Sequence, residues 1–423
     1  MPNIHGPRLS GALRRDLLRW MAAAPAAAVA AGPLGALADA ALEPIAPGLL
    51  SFTPDNQAAT FRNIDRLYAT HRIARGGQVM PLPAHGRSLA DLSFDHQGAT
   101  YSVDQYMARN RTAGVLVLKD GQVALERYGM GNTPTSRWTS MSVAKSVTST
   151  LVGAALRDGA IASLDDPVTR YVPVLKGSAY DGVQIRHLLR MTSGVAWNEA
   201  YTASGDSDIA KLAGVLQARK KGGLLELMRD RGRAAPPDTK FLYSTGETTV
   251  EGAVVIGATG KPLSTYLSEK IWAPAGMETD AYWLAEAEDG IDFGGGCISA
   301  TLRDYARFGQ FFLNEGVIGS GSILPAGWRD LAGRPDNPVT ACGKVEPGSP
   351  LGYGYNWWTF PTDAGPFPGG VFSAQGIFGQ FIYVNPPEKV VAAIWSAWPE
   401  AWVDASELET YSMLAKAVEM LRV

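Results

Sequence analysis

Two strand–turn–strand patterns stand near opposite ends of this chain, and what lies between them reads as helix. "AGVLVLK" and "QVALERYG" flank Asp120-Gly121; Asp-Gly favours a two-residue hairpin because both positions tolerate positive φ. "GQFIYVN" and "KVVAAIWSA" flank Pro386-Pro387-Glu388. Between them, "IRHLLRM", "TTVEGAVVIGATG" stopped by Gly260, and "ATLRDYARFGQFFLNEG" stopped by Gly316 repeat apolar residues at three-to-four spacing. "ASELETYSMLAKAVEMLRV" does the same after the second hairpin, from Ser406. Hairpins at both ends with helices between them predict an α+β fold. Its antiparallel sheet is assembled from the two ends of the chain and flanked by helices, with a mostly helical lobe inserted. A chain of 423 residues holds ample core for this. Residues 111–423 read as one domain without an internal repeat, and the turn-rich, polar residues 41–110 as an irregular N-terminal wrap.

Residues 1–40 follow a different logic. Arg14-Arg15 and two leucines precede an uncharged, Ala-rich run from Trp20 to Ala38, which ends in Ala38-Asp39-Ala40, a small-x-small cleavage pattern. The order resembles a twin-arginine export signal. Pro25, Gly32 and Pro33 argue against a stable spanning helix. The expectation is an exported, periplasmic protein with no stable membrane association once the signal is removed.

The formal net charge of −3 and the absence of a basic stripe exclude a nucleic-acid partner at this level. Cys297 and Cys342 are too few for a disulfide framework and read as separate buried thiols.

The chemistry concentrates in "SRWTSMSVAKSVTSTLVGAAL". From Trp138 to Leu156 the single charged residue is Lys145. On a helix Ser142, Lys145, Ser146 and Ser149 share one face. With Ser142 at the N-terminus, its hydroxyl sits near free N–H groups and the positive end of the dipole, and Lys145 reaches it from one turn on. A serine alcohol needs a base to become a nucleophile, and a lysine in apolar surroundings has a lowered pKa. The bland alternative is a lysine that snorkels to solvent.

A second motif follows about a hundred residues on, Tyr243-Ser244-Thr245 ahead of a helix. Here the sequence resembles the serine β-lactamase-like, penicillin-recognising hydrolases, in particular their class C branch, which carries Ser-x-x-Lys followed by Tyr-x-Asn or Tyr-Ser-x. "SLDDPVTRYVP", "IRHLLRMTSGVAWNE", "GGGCISATLRDYARFGQFFLNEG" and "YGYNWW" extend the resemblance, in order, over about residues 100–420. Within the branch it is most similar to 6-aminohexanoate-dimer hydrolases and related esterases. The resemblance implies a β-lactamase/transpeptidase-like fold and a serine hydrolase without metal or organic cofactor. It implies Ser142 as acylated nucleophile, Lys145 as its base partner, and Tyr243 as general base and relay, its phenolate brought within reach by the Lys145 ammonium. The backbone N–H groups of Ser142 and Ile377 would form the oxyanion hole. Tyr201, Gln375 and Gly376 would meet a small ester or amide substrate.

Ala374-Gln375-Gly376 stands where the antibiotic-hydrolysing members carry Lys-Thr-Gly or His-Thr-Gly, and Thr245 replaces the motif's asparagine. Losing that cation removes a partner for a β-lactam carboxylate, which favours an ester or linear amide over a β-lactam. A D-Ala-D-Ala peptidase shares every catalytic residue, and a catalytically silent binding protein shares the fold. Asp206 and Asp208 could meet a substrate amine, or be solvated loop carboxylates. A Ser-His-Asp hydrolase needs a placed histidine. His5, His71, His85, His96 and His187 accompany no Gly-x-Ser-x-Gly elbow, and His187 reads as structural. No His-x-x-x-His or carboxylate cluster suggests a metal. Oligomeric state is left open.

Overall fold

The computed structural model describes residues 44–201, 205–362 and 369–422. The export signal expected in residues 1–40 lies outside them. In chain order the strands of the two sheets that position the site are β1 (Thr70–Ile73), β2 (Thr112–Lys119), β3 (Gln122–Tyr128), β4 (Arg137–Thr139), β5 (Ala281–Leu284), β6 (Ile298–Thr301), β7 (Gly352–Tyr353), β8 (Trp358–Thr359), β9 (Phe372–Gly376), β10 (Gln380–Asn385) and β11 (Val390–Ser396). The helices that matter here are α1 (Gln57–Leu67), α2 (Val143–Arg157), α3 (Asp208–Gln217), α4 (Thr245–Thr259), α5 (Leu302–Leu313) and α6 (Asp404–Leu421).

The main sheet is antiparallel, in the order β7-β8-β9-β10-β11-β2-β3. Asp120 and Gly121 take φ of 51° and 76°, the left-handed pair that a tight two-residue hairpin requires. β11 pairs with β2, Val390 opposite Lys119 and Ile394 opposite Val115, so the two ends of the chain meet in the middle of the sheet as expected. β2 is buried on both faces, and its period of two divides it between two cores. Leu116 and Leu118 join Phe308 and Phe312 of α5, whereas Val115 and Val117 join Met413 and Leu414 of α6. The helical lobe, including α2 and α4, is inserted between the two halves of the sheet.

Two features differ from the sequence reading. Residues 44–110 are not an irregular wrap: they hold α1, β1, a hairpin Ser93–His96/Ala99–Ser102 and a helix Val103–Arg109. A second antiparallel sheet, ordered β1-β5-β6-β4, was also not foreseen. These strands are three or four residues long and their partners are remote, so no local alternation marks them. Their function is mechanical. β4 pairs with β6 and leads directly into the turn before α2, with Trp138 buried against Phe61 and stacked on Trp395 at 6.0 Å.

Candidate active site

The turn between β4 and α2 is held rather than free. Ser140 donates its backbone N–H to the Ile298 carbonyl at 2.7 Å and accepts from the Ile298 N–H at 2.9 Å on its side chain. Met141 takes φ of 45°, a left-handed conformation costly for a residue with a Cβ. Its carbonyl is fixed by Ser140 Oγ at 2.9 Å and the Cys297 N–H at 3.1 Å. The turn delivers Ser142 as the N-cap of α2, but its hydroxyl caps nothing, so the oxygen stays available for chemistry.

α2 is buried along almost its whole length, and Lys145 is 1% exposed. Its Nζ donates to Ser142 Oγ at 2.9 Å and to the Gly295 carbonyl at 2.6 Å, and lies 5.2 Å from the centroid of the Tyr243 ring. Among the described residues no carboxylate lies within ion-pair distance. Burial therefore dominates and lowers the lysine from its ordinary 10.5 to about 8, while Glu199, Cys297 and Glu251 pull the other way. Gly295 can approach this closely because it lacks a side chain; a Cβ there would lie 2.5 Å from the Thr245 carbonyl.

Tyr243 stacks on Trp358 at 5.8 Å, edge-on to Tyr353. Burial raises its phenol well above the ordinary range, the Glu199 charge adds to this, and a hydrogen bond to the Ser142 side chain lowers it. The direction runs against the expectation that the Lys145 ammonium brings the phenolate within reach. Burial therefore favours the neutral hydroxyl of Tyr243 and the neutral amine of Lys145.

β9 lines the other wall. A Cβ on Gly376 would sit 2.7 Å from the Ser140 carbonyl and 3.0 Å from the Ser142 nitrogen. Only glycine permits that approach, and it brings Ile377 alongside Ser142. Neither backbone N–H donates to a protein acceptor among the described residues, which is what an oxyanion hole requires. Gln375 faces the same cleft, but its amide nitrogen is committed to Ser373 Oγ and the Tyr411 hydroxyl, each at 2.9 Å.

The residue that sequence reasoning missed is Glu199, 3% exposed within "WNEA". One oxygen accepts from the Tyr201 hydroxyl at 2.7 Å and from the Thr245 hydroxyl; the other accepts from the Thr245 N–H at 2.9 Å and from the Trp197 indole. Four donors saturate its lone pairs. Thr245 and the Tyr201 hydroxyl are thereby turned to Glu199, and Tyr201 offers the site its ring. The signal was a carboxylate two residues from a tryptophan and two from a tyrosine, legible only once all three are known to be buried.

Other expectations resolve as follows. Asp208 is not solvated: it is buried, accepts from the Asn198 N–H at 3.0 Å and is paired with Lys211 and Arg231. Asp206 is exposed. His187 accepts from the Gln184 N–H at 3.0 Å, capping its own short helix. Cys297 is a buried free thiol pushed up to about 11 by burial, whereas Cys342 is free and only half-buried. No group of three or more His, Cys, Asp or Glu side chains among the described residues could hold a metal ion.

A family model described as beta-lactamase matches residues 101–415. The chain belongs to the beta-lactamase family. It is similar over most of its length to a 6-aminohexanoate-dimer hydrolase of Paenarthrobacter ureafaciens, 31% identical over 82% of this chain and 86% of that one. Esterase EstB of Burkholderia gladioli is 30% identical over 44% of this chain and 51% of its own length. A Bacillus anthracis structure with the provisional name 6-aminohexanoate-dimer hydrolase superposes with a TM-score of 0.74 at 23% identity, covering 86% of this chain and 94% of that chain. The beta-lactamase family fold is thus shared, and the relatives are named hydrolases and esterases; this member is a serine hydrolase of that family.

Two expected results follow from the electrostatics of this beta-lactamase family site. A base must be unprotonated to accept a proton, so kcat/KM is expected to rise with pH through about 8, falling about tenfold per unit below it and levelling above. Glu199 raises the Lys145 value, so Glu199→Gln should move this limb to lower pH. A pH–rate profile of both proteins checks it; an unmoved limb would mean that Glu199 acts on Tyr201 and Thr245 alone.

Proposed function

We propose that the protein hydrolyses an ester or linear amide through an acyl-enzyme on Ser142, as an exported, periplasmic enzyme needing no metal or organic cofactor. The observation that carries this is the 2.9 Å contact between Ser142 Oγ and a buried lysine with no carboxylate partner among the described residues. Neutral Lys145 takes the Ser142 proton as Oγ bonds to the substrate carbonyl carbon. The tetrahedral oxyanion is held by the N–H groups of Ser142 and Ile377. When the carbon–leaving-group bond breaks, the proton passes from Lys145 through the Tyr243 hydroxyl to the departing alcohol or amine. Water then enters and bonds to the acyl carbon as it gives its proton to the same relay; the carbon–Oγ bond breaks, that proton returns to Ser142 Oγ, and the acid leaves.

The names of the 6-aminohexanoate-dimer hydrolase and the esterase among the relatives support a linear amide or an ester. So does β9, which carries no cationic side chain from Phe372 to Gly376, leaving a β-lactam carboxylate without the partner that Lys-Thr-Gly would supply. Tyr201 and Gln375 would contribute ring and carbonyl contacts to the substrate rather than donated hydrogen bonds.

The test is a panel of p-nitrophenyl esters, the 6-aminohexanoate linear dimer, a chromogenic cephalosporin and a D-Ala-D-Ala peptide, with intact-mass and peptide analysis after exposure to a fluorophosphonate. Ester or linear-amide turnover with the label on Ser142 is expected. Cephalosporin cleavage at a comparable rate would overturn the substrate class, and no label with no turnover would make the protein a binder.

A further inference from the structure

Two clefts meet at Ser142. One is aromatic and polar, lined by Tyr243, Trp358, Gln375 and Trp402. The other, about 370 Å³ when its opening to solvent is included, is lined by Leu49, Leu50, Ile209, Leu212, Ala213 and Phe293. Ser142, Tyr201 and Ile377 belong to both. No Asp, Glu, Lys or Arg lines the second cleft among the described residues. Asp208, at the start of α3, is already consumed by Asn198, Lys211 and Arg231.

The wall opposite α3 comes from residues 47–52, well before the start of the family match at residue 101. This segment is fastened to α3: Gln217 donates to the Pro47 carbonyl at 3.1 Å, and Gly48 lies so close that a Cβ would meet Gln217 Oε1 at 2.6 Å. A turn from Gly48 to Ser51 follows, with the N–H of Ser51 on the Gly48 carbonyl at 3.0 Å and Leu50 at φ 77°.

The proton relay orients a substrate between the two. The leaving group must receive its proton from the side where the Tyr243 hydroxyl lies, and Tyr243 lines the first cleft but not the second. The acyl group therefore points into the second. We propose that the cleft between α3 and residues 47–52 is an acyl-chain site that takes an uncharged aliphatic chain. It rests on Ser142 being the acylated nucleophile. A chain ending in an ammonium would leave that charge desolvated with no carboxylate to meet it, at a cost that apolar contact does not recover.

The test is kcat/KM for p-nitrophenyl acetate, butyrate, hexanoate and 6-aminohexanoate, and for acetate esters of alcohols of increasing length. Each CH₂ moved from water into the cleft contributes up to about fourfold, the factor that ~0.8 kcal/mol corresponds to. The rate is therefore expected to climb from acetate to hexanoate, and hexanoate to exceed 6-aminohexanoate by at least about a hundredfold. Lengthening the alcohol should give no such climb. Leu50→Trp, and independently Ala213→Leu, should each lower the hexanoate-to-acetate ratio by about tenfold or more, in proteins whose circular dichroism and phosphonate labelling match the parent. A flat acyl series, equal use of 6-aminohexanoate, or an unchanged ratio in both variants would overturn the acyl-chain site. If acetate hydrolysis and labelling still require Ser142 in that case, the catalytic reading stands. Hydrolysis and labelling that both persist in Ser142→Ala would remove the catalytic reading and the acyl-chain site with it.

Discussion

Ser142→Ala is expected to reduce ester turnover to near the uncatalysed rate, a loss on the order of 10⁶ in kcat where removing a catalytic serine disables the whole nucleophilic unit. The fold should survive. Ser142 is 9% exposed and its hydroxyl caps no backbone group, so alanine leaves the first turn of α2 as it was. Its removal takes one acceptor from Lys145, which keeps the Gly295 carbonyl at 2.6 Å. The informative measurement is burst kinetics beside thermal unfolding. A residual steady rate within a hundredfold of the parent, at unchanged Tm, would mean that water rather than Ser142 attacks the substrate.

Lys145→Met should cost 10²–10⁴ in kcat/KM, the range for losing a placed general base, and it should remove the acid limb centred near pH 8. Stability gives a second readout with a definite sign. The lysine falls from 10.5 to about 8 on folding, so between those values the unfolded chain holds more protons and stability rises with pH. Below the folded value the penalty for burying the ammonium is present in full, roughly 3 kcal/mol; above 10.5 it is gone. Methionine has no such proton. Parent and variant compared by denaturant unfolding at pH 7 and at pH 9.5 should therefore differ, the parent gaining on the variant as pH rises. Parallel behaviour would show that Lys145 is solvated in solution, and the base assignment would fall with it.

How much of this was readable beforehand depends on the range of each contact. Ser142 and Lys145 are three residues apart on one helix, so period alone brought them together. Tyr243 came only through a motif: nothing in the sequence around it marks it out from Tyr353, which packs beside it in the fold. The central hairpins were legible because turn chemistry and strand alternation coincide there, whereas β1 and β5, four residues each, gain their identity solely from pairing with one another. Glu199 and Leu50 were invisible for a related reason. A carboxylate is buried only when several distant donors converge on it, and a leucine in a polar-looking segment acquires a role only through the wall that it faces.

The place where β11 meets β2 also has a consequence for the life history of the chain. A ribosome makes β2 long before β11, and a pairing of such separation must meet the entropy of closing a loop that contains the entire helical lobe. Until the β10–β11 hairpin docks, Ile377 has no fixed position beside Ser142, and the second oxyanion donor of the proposed mechanism is missing. The nascent or unfolded chain carries Ser142 from the outset, yet under the proposed mechanism its site is complete only once β11 has paired with β2.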